Sequence, residues 1–181
     1  MEQTLTAPAR GSATAVDPVD AAFEALYRGS RDDVYAYVAG LLRDRASAED
    51  VTALAFERAY SKRKRFDARK GSRRGWLFGI ARNAALDELR RRRRSAELVT
   101  DPADPSAADP ADEAEGALRR QSLRAAMDGL GARERELIAL KFFAGLSNAE
   151  IAEVIGTSPT NAGTRLHRSI EKLRRSFDED A

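Results

Sequence analysis

Residues 95–117 divide this chain. They carry seven acidic side chains and no basic one, with Pro102, Pro105 and Pro110 spaced through Asp, Ala and Ser. Such a segment cannot bury enough apolar surface to offset the entropy lost on ordering it. It reads as a linker, and the 181 residues therefore form two small modules rather than one large domain. Residues 1–19, with Pro8, Gly11 and Pro18, read as a mobile N-terminal tail, and residues 178–181 as an acidic one. The modules span 20–94 and 118–177.

The linker also separates charge. Residues 21–94 hold 19 basic against 10 acidic side chains, and residues 118–181 hold 11 against 9, although the whole chain is only +2. By charge the first block is a polyanion binder. The chain has no cysteine, and His167 is its one histidine, which excludes disulfides, thiolate chemistry and a histidine-rich zinc site. No metal or other cofactor is expected. No apolar run approaches the roughly 20 residues that cross a bilayer. Met1 to Asp20 lacks the basic start and apolar stretch of a signal peptide, so the expected location is the cytoplasm, with no membrane partner.

Apolar residues recur at helical spacing throughout, with no repeat and no strand-like alternation. The first module reads as a helix bearing Phe23, Leu26, Val34, Tyr37, Val38, Leu41 and Leu42, broken near Gly29. A second helix starts at Ser47, with Asp50 completing a capping box. A third carries Trp76, Leu77, Ile80, Ala81 and Ala84 and runs into Arg90 to Arg94. The second module reads as helices near 118–129, 132–144, 147–155 and 159–177. Ser147 with Glu150 forms a capping box, Gly156 suits a left-handed turn, and Pro159 suits a first helical turn. Leu166, Ile170, Leu173 and Phe177 make one apolar stripe. The predicted fold is all-α: two small helical domains joined by a flexible acidic linker, the C-terminal one a helix-turn-helix.

A short helix, a tight turn at Gly156 and a longer basic helix have the geometry that places a recognition helix in the DNA major groove. Ala152 supplies the small side chain that a close crossing needs. Asn161, Thr164, Arg165 and Arg168 are donors suited to base edges and phosphates. The alternative is a plain helical hairpin with a solvated arginine face; His167 needs no special role. In the first module, Lys62 to Arg65, Arg69 to Arg74 and Arg90 to Arg94 contribute thirteen basic residues. They surround a helix offering Trp76, Phe78, Asn83 and Asp87. Cations alone bind DNA without reading it, whereas an aromatic beside an amide and a carboxylate can stack on or read unpaired bases. Arg69, Arg73, Arg74, Trp76, Asn83, Asp87 and Arg90 are the candidate contacts. The alternative places Trp76 and Phe78 in the core and leaves the arginines as a solubilising surface; a membrane-surface role for Arg90 to Arg94 has no accompanying lipidation signal.

Ordered motifs run through both modules. The first holds Ala48-Glu49-Asp50-Val51, Phe56-Glu57-Arg58-Ala59-Tyr60, Arg65-Phe66-Asp67, Gly71-Ser72, Trp76-Leu77, and Ile80-Ala81-Arg82-Asn83 through Ala85-Leu86-Asp87. The second holds Leu130, Arg133 to Leu140, Gly145-Leu146-Ser147, Glu150-Ile151-Ala152, Gly156 and Arg165-Leu166-His167-Arg168. On these residues the chain resembles the extracytoplasmic-function sigma factors, promoter-recognition subunits of bacterial RNA polymerase in the sigma-70 superfamily.

The resemblance implies that the helix from Ser47 to Tyr60 binds the clamp of core RNA polymerase, with Asp50, Leu54, Phe56 and Arg58 as contacts. It implies that Asn83 and its neighbours trap the melted downstream promoter element. The helix from Pro159 would read the upstream element while its module's other face meets a polymerase flap. An anti-sigma factor holds many members of the family, and the free chain is expected to be monomeric. No catalytic residue is implied, because the polymerase performs the chemistry. Two departures stand out. Ala53 and Leu54 occupy positions where the family usually has glutamine and an acidic residue. Asn161, Ala162 and Gly163 replace its frequent threonine, valine and basic residue. The departures at Ala53 and Leu54 motivate a second reading, a helix-turn-helix regulator that has lost productive polymerase engagement. A third reading, an enzyme acting on nucleic acid, finds no carboxylate cluster, nucleophile arrangement or phosphate loop.

Overall fold

Helix α1 spans Pro18–Leu42, and its start is fixed locally: the Asp17 carboxylate accepts from the Val19 amide at 2.9 Å, and Pro18 opens the first turn. The computed structural model describes residues 17–98, 126–127 and 129–179. Most of the expected N-terminal tail, the linker from residue 99 onward, nearly all of the expected helix at 118–129 and the last two residues lie outside the described residues.

The break expected near Gly29 is absent, and α1 runs straight through it. One interior glycine costs about 1 kcal/mol relative to alanine. That is less than the stabilisation from burying Val34, Tyr37, Val38 and Leu42 on one face. The helix ends at Arg43, whose backbone is left-handed at φ 53° and whose amide donates to the Ala39 carbonyl at 2.9 Å.

Helix α2, Arg45–Lys62, begins two residues before the expected start at Ser47. Asp44 is the cap. Its carboxylate accepts from the Ala46 amide at 3.1 Å and from the Ser47 hydroxyl at 2.8 Å, so Ser47 is used as a donor instead of capping the helix. The Ser47 hydroxyl holds the Asp44 carboxyl below its usual range, although partial burial opposes it. Two single 3-10 turns, Arg63–Arg65 and Ala68–Lys70, lead to α3, Arg73–Leu98. That helix passes the expected linker boundary at Ser95 by one turn.

Around the middle of α3 the three helices bury Val34, Tyr37, Val51, Ala55, Leu77 and Phe78. The Tyr37 and Phe78 rings meet edge to face, 5.6 Å between centroids. Of the two aromatics offered to DNA, Phe78 is therefore core, whereas Trp76 is half-buried.

In the second module α4 spans Ala132–Ile138, and the expected continuation to residue 144 widens into a π-turn, Ala139–Phe143. There the Ala144 amide reaches back five residues to the Ala139 carbonyl at 3.0 Å. Helices α5, Asn148–Ile155, and α6, Pro159–Glu179, follow closely the pattern read from their caps. Ser147 and Glu150 form the reciprocal capping box, and Gly156 turns the chain at φ 70°. Leu166 is buried, Ile170 and Leu173 pack against the core, and the side chain of Phe177 lies outside the described residues. Buried apolar side chains of both modules form one continuous cluster. No described helix is long and apolar enough to cross a membrane.

Candidate nucleic-acid interface

The N-terminal half of α3 builds one candidate surface. Ser72 caps the helix by accepting from the Gly75 amide at 2.8 Å, which sets the register that places Trp76, Gly79, Ile80 and Asn83 along one face. They line a cavity of about 430 Å³ together with Phe66, Lys70 and Glu153. Phe66 supports Trp76 edge to face at 5.6 Å, and the Arg73 guanidinium lies 4.5 Å over the Phe66 ring. Asn83 is exposed, and its side-chain amide makes no hydrogen bond among the described residues. An aromatic face, a free amide and flanking cations are the groups that hold an unstacked base.

Many cations of the first module are already engaged. Arg69 forks onto Asp67 at 3.0 Å through both Nε and Nη2. Arg90 pairs with Asp87 at 2.9 Å, and Arg58 of α2 approaches the same carboxylate at 3.7 Å. Arg91 and Arg92 share Glu88, and Arg92 also joins Asp44 at 2.7 Å and the Leu42 carbonyl at 3.1 Å. The candidate contact Arg74 is corrected: it points inward, to Asp33 at 2.7 Å and to the carbonyl of Ala144. It ties α1, α3 and the second module together, a role that only long-range packing reveals.

On α2, Asp50, Leu54 and Arg58 follow one another at i, i+4 spacing along an accessible stripe. Phe56 faces the opposite way. It is 6% exposed, and its ring meets Tyr27 edge to face at 4.8 Å, so this candidate polymerase contact is corrected to a core residue. Half a turn separates it from the stripe, and the sequence motif alone does not show that. Ala53 is exposed beside Leu54.

The helix-turn-helix presents Asn161, Thr164, Arg165 and Arg168 on the outer side of α6, opposite buried Ala162, Leu166 and Ser169. Asn161 donates to the Thr157 hydroxyl at 2.7 Å, and the Thr164 hydroxyl donates back to the Thr160 carbonyl at 3.0 Å. Arg165 and Arg168 pair with no carboxylate among the described residues. With Arg133 of α4, which the sequence reading missed, they line a groove of about 590 Å³. Gly163 gains a structural reason: a Cβ there would stand 3.2 Å from the Asn148 amide nitrogen, where α5 and α6 cross.

Beside the shared apolar cluster, the modules also meet through polar groups. The Ser72 hydroxyl donates to Glu150 at 3.0 Å, and its amide donates to Glu153 at 3.2 Å. Burial pushes the Glu150 carboxyl up, but hydrogen bonds from Ser147 and Ser72 and the charge of Arg74 outweigh it and hold the group below its usual range. Arg82 forks onto Glu136 at 2.5 and 3.3 Å, beside the buried Tyr37 hydroxyl.

The Sigma-70 region 2 family model matches residues 26–95, and the Sigma-70, region 4 model matches residues 120–173. The RNA polymerase sigma factor CarQ of Myxococcus xanthus is 36% identical over 166 residues, covering 90% of this chain and 93% of CarQ. The ECF RNA polymerase sigma factor SigL of Mycobacterium tuberculosis is 31% identical over 160 residues, covering 88% and 90%. Among solved structures, the sigma factor RpoE from Bartonella quintana, in complex with the anti-sigma factor NepR, shares the fold at TM-score 0.73 and 24% identity, covering 88% of this chain and 99% of RpoE. CnrH, in complex with the cytosolic domain of CnrY, does so at TM-score 0.64 and 26% identity, covering 90% and 91%. Two helical modules in the order of regions 2 and 4, matched across nearly the whole length of full sigma factors, make this chain a member of the sigma-70 family, an extracytoplasmic-function sigma factor that binds core RNA polymerase and directs promoter recognition.

Proposed function

We propose that the module at 20–94 reads the melted downstream promoter element through the α3 cavity, with Trp76 as stacking platform and Asn83 as base-edge reader. Arg69, Arg73, Asp87 and Arg90 flank it. Arg73 and Lys70 supply free phosphate contacts, while Arg69 and Arg90 act through their carboxylate partners. The observation that carries this reading is the exposed, unpartnered Asn83 in the same cavity as the Phe66-supported Trp76.

The module at 118–177 reads the upstream element with Asn161, Thr164, Arg165 and Arg168, and Arg133 joins them at the phosphate backbone. Asp50, Leu54 and Arg58 form the stripe that meets the polymerase clamp, with Leu54 contributing an apolar contact where a charged one is usual. The chain works in the cytoplasm as a monomer until it joins the polymerase. An anti-sigma factor is proposed as a further partner, supported by the complexes in which RpoE and CnrH were solved and by the exposed ring of Phe142, 61% accessible.

Relatives matched along almost their full length are sigma factors, so the regulator without polymerase engagement is not favoured. Transcript sequencing from purified core polymerase plus this protein tests the assignment. Initiation at defined promoters is expected, with Asn83→Ala reducing open complexes; initiation unaffected by Asn83→Ala and Trp76→Ala removes the downstream reading.

A further inference from the structure

Three guanidinium groups of the second module converge on one groove, and no carboxylate among the described residues meets them. Arg133 stands in the first turn of α4, and Arg165 and Arg168 lie one turn apart on α6; all three are exposed and line the groove of about 590 Å³. The two carboxylates in the same lining are already engaged. Glu134 accepts from Lys172 at 2.8 Å and from the Gly131 amide at 2.6 Å, and Glu136 accepts from Arg82. The groove therefore keeps three positive charges without compensation. The rest of its lining offers little to solvate them: Leu137 and Ser169 are buried, Ile155 is half-buried, and the Ser169 hydroxyl donates to the Arg165 carbonyl at 3.0 Å. Like charges held over such a lining repel one another, and low-dielectric walls focus their field into the concavity.

We propose that this groove is a site for a small polyphosphate anion, and that its occupation withholds Arg165 and Arg168 from upstream DNA. A guanidinium presents a planar fork of donors that matches phosphate oxygens, and three of them suit a ligand with several linked phosphoryl groups rather than one. The volume falls within the range of small-ligand sites, about 300–1,000 Å³. A DNA duplex meets the exposed guanidinia at the rim but does not enter a space walled by Leu137 and Ser169, whereas a short phosphate chain does. The three arginines all belong to the second module, so the cationic part of the site does not depend on the position of the first. The competition, but not the site, rests on the assignment of Arg165 and Arg168 to the upstream element. Promoter binding then falls as the concentration of the anion rises.

Isothermal titration of the full chain without magnesium tests the site, with inorganic tripolyphosphate and adenosine triphosphate as probes. One molecule is expected to bind per chain. Arg133→Ala, at an exposed position that leaves the fold intact, should weaken binding about tenfold, the worth of one hydrogen bond to a charged group. Arg133→Lys should restore part of the loss. Arg174→Ala with Arg175→Ala removes two cations of the same helix outside the groove and should leave binding unchanged. Tighter binding of the nucleotide identifies a nucleoside polyphosphate, its base against Leu137 and Ile155; equal binding identifies the phosphate chain alone. In a second measurement, tripolyphosphate should displace a fluorescein-labelled duplex with an inhibition constant equal to its calorimetric Kd.

The site is overturned by an absence of saturable binding, by several molecules bound per chain, or by a loss in the Arg174 and Arg175 variant equal to that in Arg133→Ala. Displacement no greater than sodium chloride gives at equal ionic strength overturns the competition. If Arg165→Ala and Arg168→Ala weaken duplex binding while neither probe binds, the inference alone fails. If those two substitutions leave duplex binding intact, the upstream reading fails and takes the competition with it, and the titration decides the site.

Discussion

The two regions proposed to read DNA use charge in opposite ways. The first module carries the larger cationic excess, yet Arg63, Arg69, Arg74, Arg90, Arg91 and Arg92 are each bound to an acidic side chain. The second module is almost neutral by count, and its recognition helix leaves Arg165 and Arg168 without a carboxylate partner among the described residues. Net charge therefore locates a polyanion-binding region but does not count its phosphate ligands. In the first module these arginines are tied to carboxylates; in the second, Arg165 and Arg168 are not, which fits the backbone contacts proposed for them.

The largest effect expected from this contrast lies in the cavity. Trp76→Ala should weaken open-complex formation by about 1–3 kcal/mol, the worth of one base-stacking contact, measured as the lifetime of heparin-resistant complexes. A change confined to upstream-element affinity would reverse the assignment of the two modules. Next, Arg165→Ala or Arg168→Ala should lower the slope of log affinity against log salt for upstream duplex DNA by about 1 each. Arg69→Ala should lower the slope for downstream DNA by less, because its charge is already offset by Asp67; equal slopes would remove the distinction between engaged and free cations.

Stability tests sharpen the same picture. Asp44→Ala should cost about 1 kcal/mol in denaturant unfolding, and Ser47→Ala should cost less, the reverse of the order that the Ser47 capping box predicts. The Asp44 carboxyl is held below its usual range by Ser47. Its contribution is therefore full above the unfolded-state value and disappears as pH falls through the lower folded one. The difference between wild type and Asp44→Ala should vanish only in strong acid. Smallest is Gly163→Ala. An open helical site would gain about 1 kcal/mol, whereas here Asn148 must move, so a full gain in unfolding free energy would show that the crossing of α5 and α6 is looser than described.

Particular residues show how far sequence reading reaches. Ser147, Glu150, Gly156 and Pro159 marked the helix-turn-helix correctly because each acts within four residues of its partner. Ser47 misled for the same reason in reverse: a valid local box was present, but Asp44 was the better acceptor and was also held by Arg92, 48 positions away in the chain. Gly29 read as a break because local propensity cannot see the core that α1 packs against. Phe56 and Arg74 had the right chemistry for contacts and the wrong direction.

What the sequence determined by itself was the helical character of both modules and the motif order that marks the family. These are properties of composition, of 3.6-residue periodicity and of short-range capping. The tertiary structure alone decided which cations remain free, that Arg133 joins the recognition helix, and that Glu136, Glu150 and Glu153 lie on α3. Each depends on groups brought together from distant parts of the chain, and an ion pair's partner is chosen by where the fold places it.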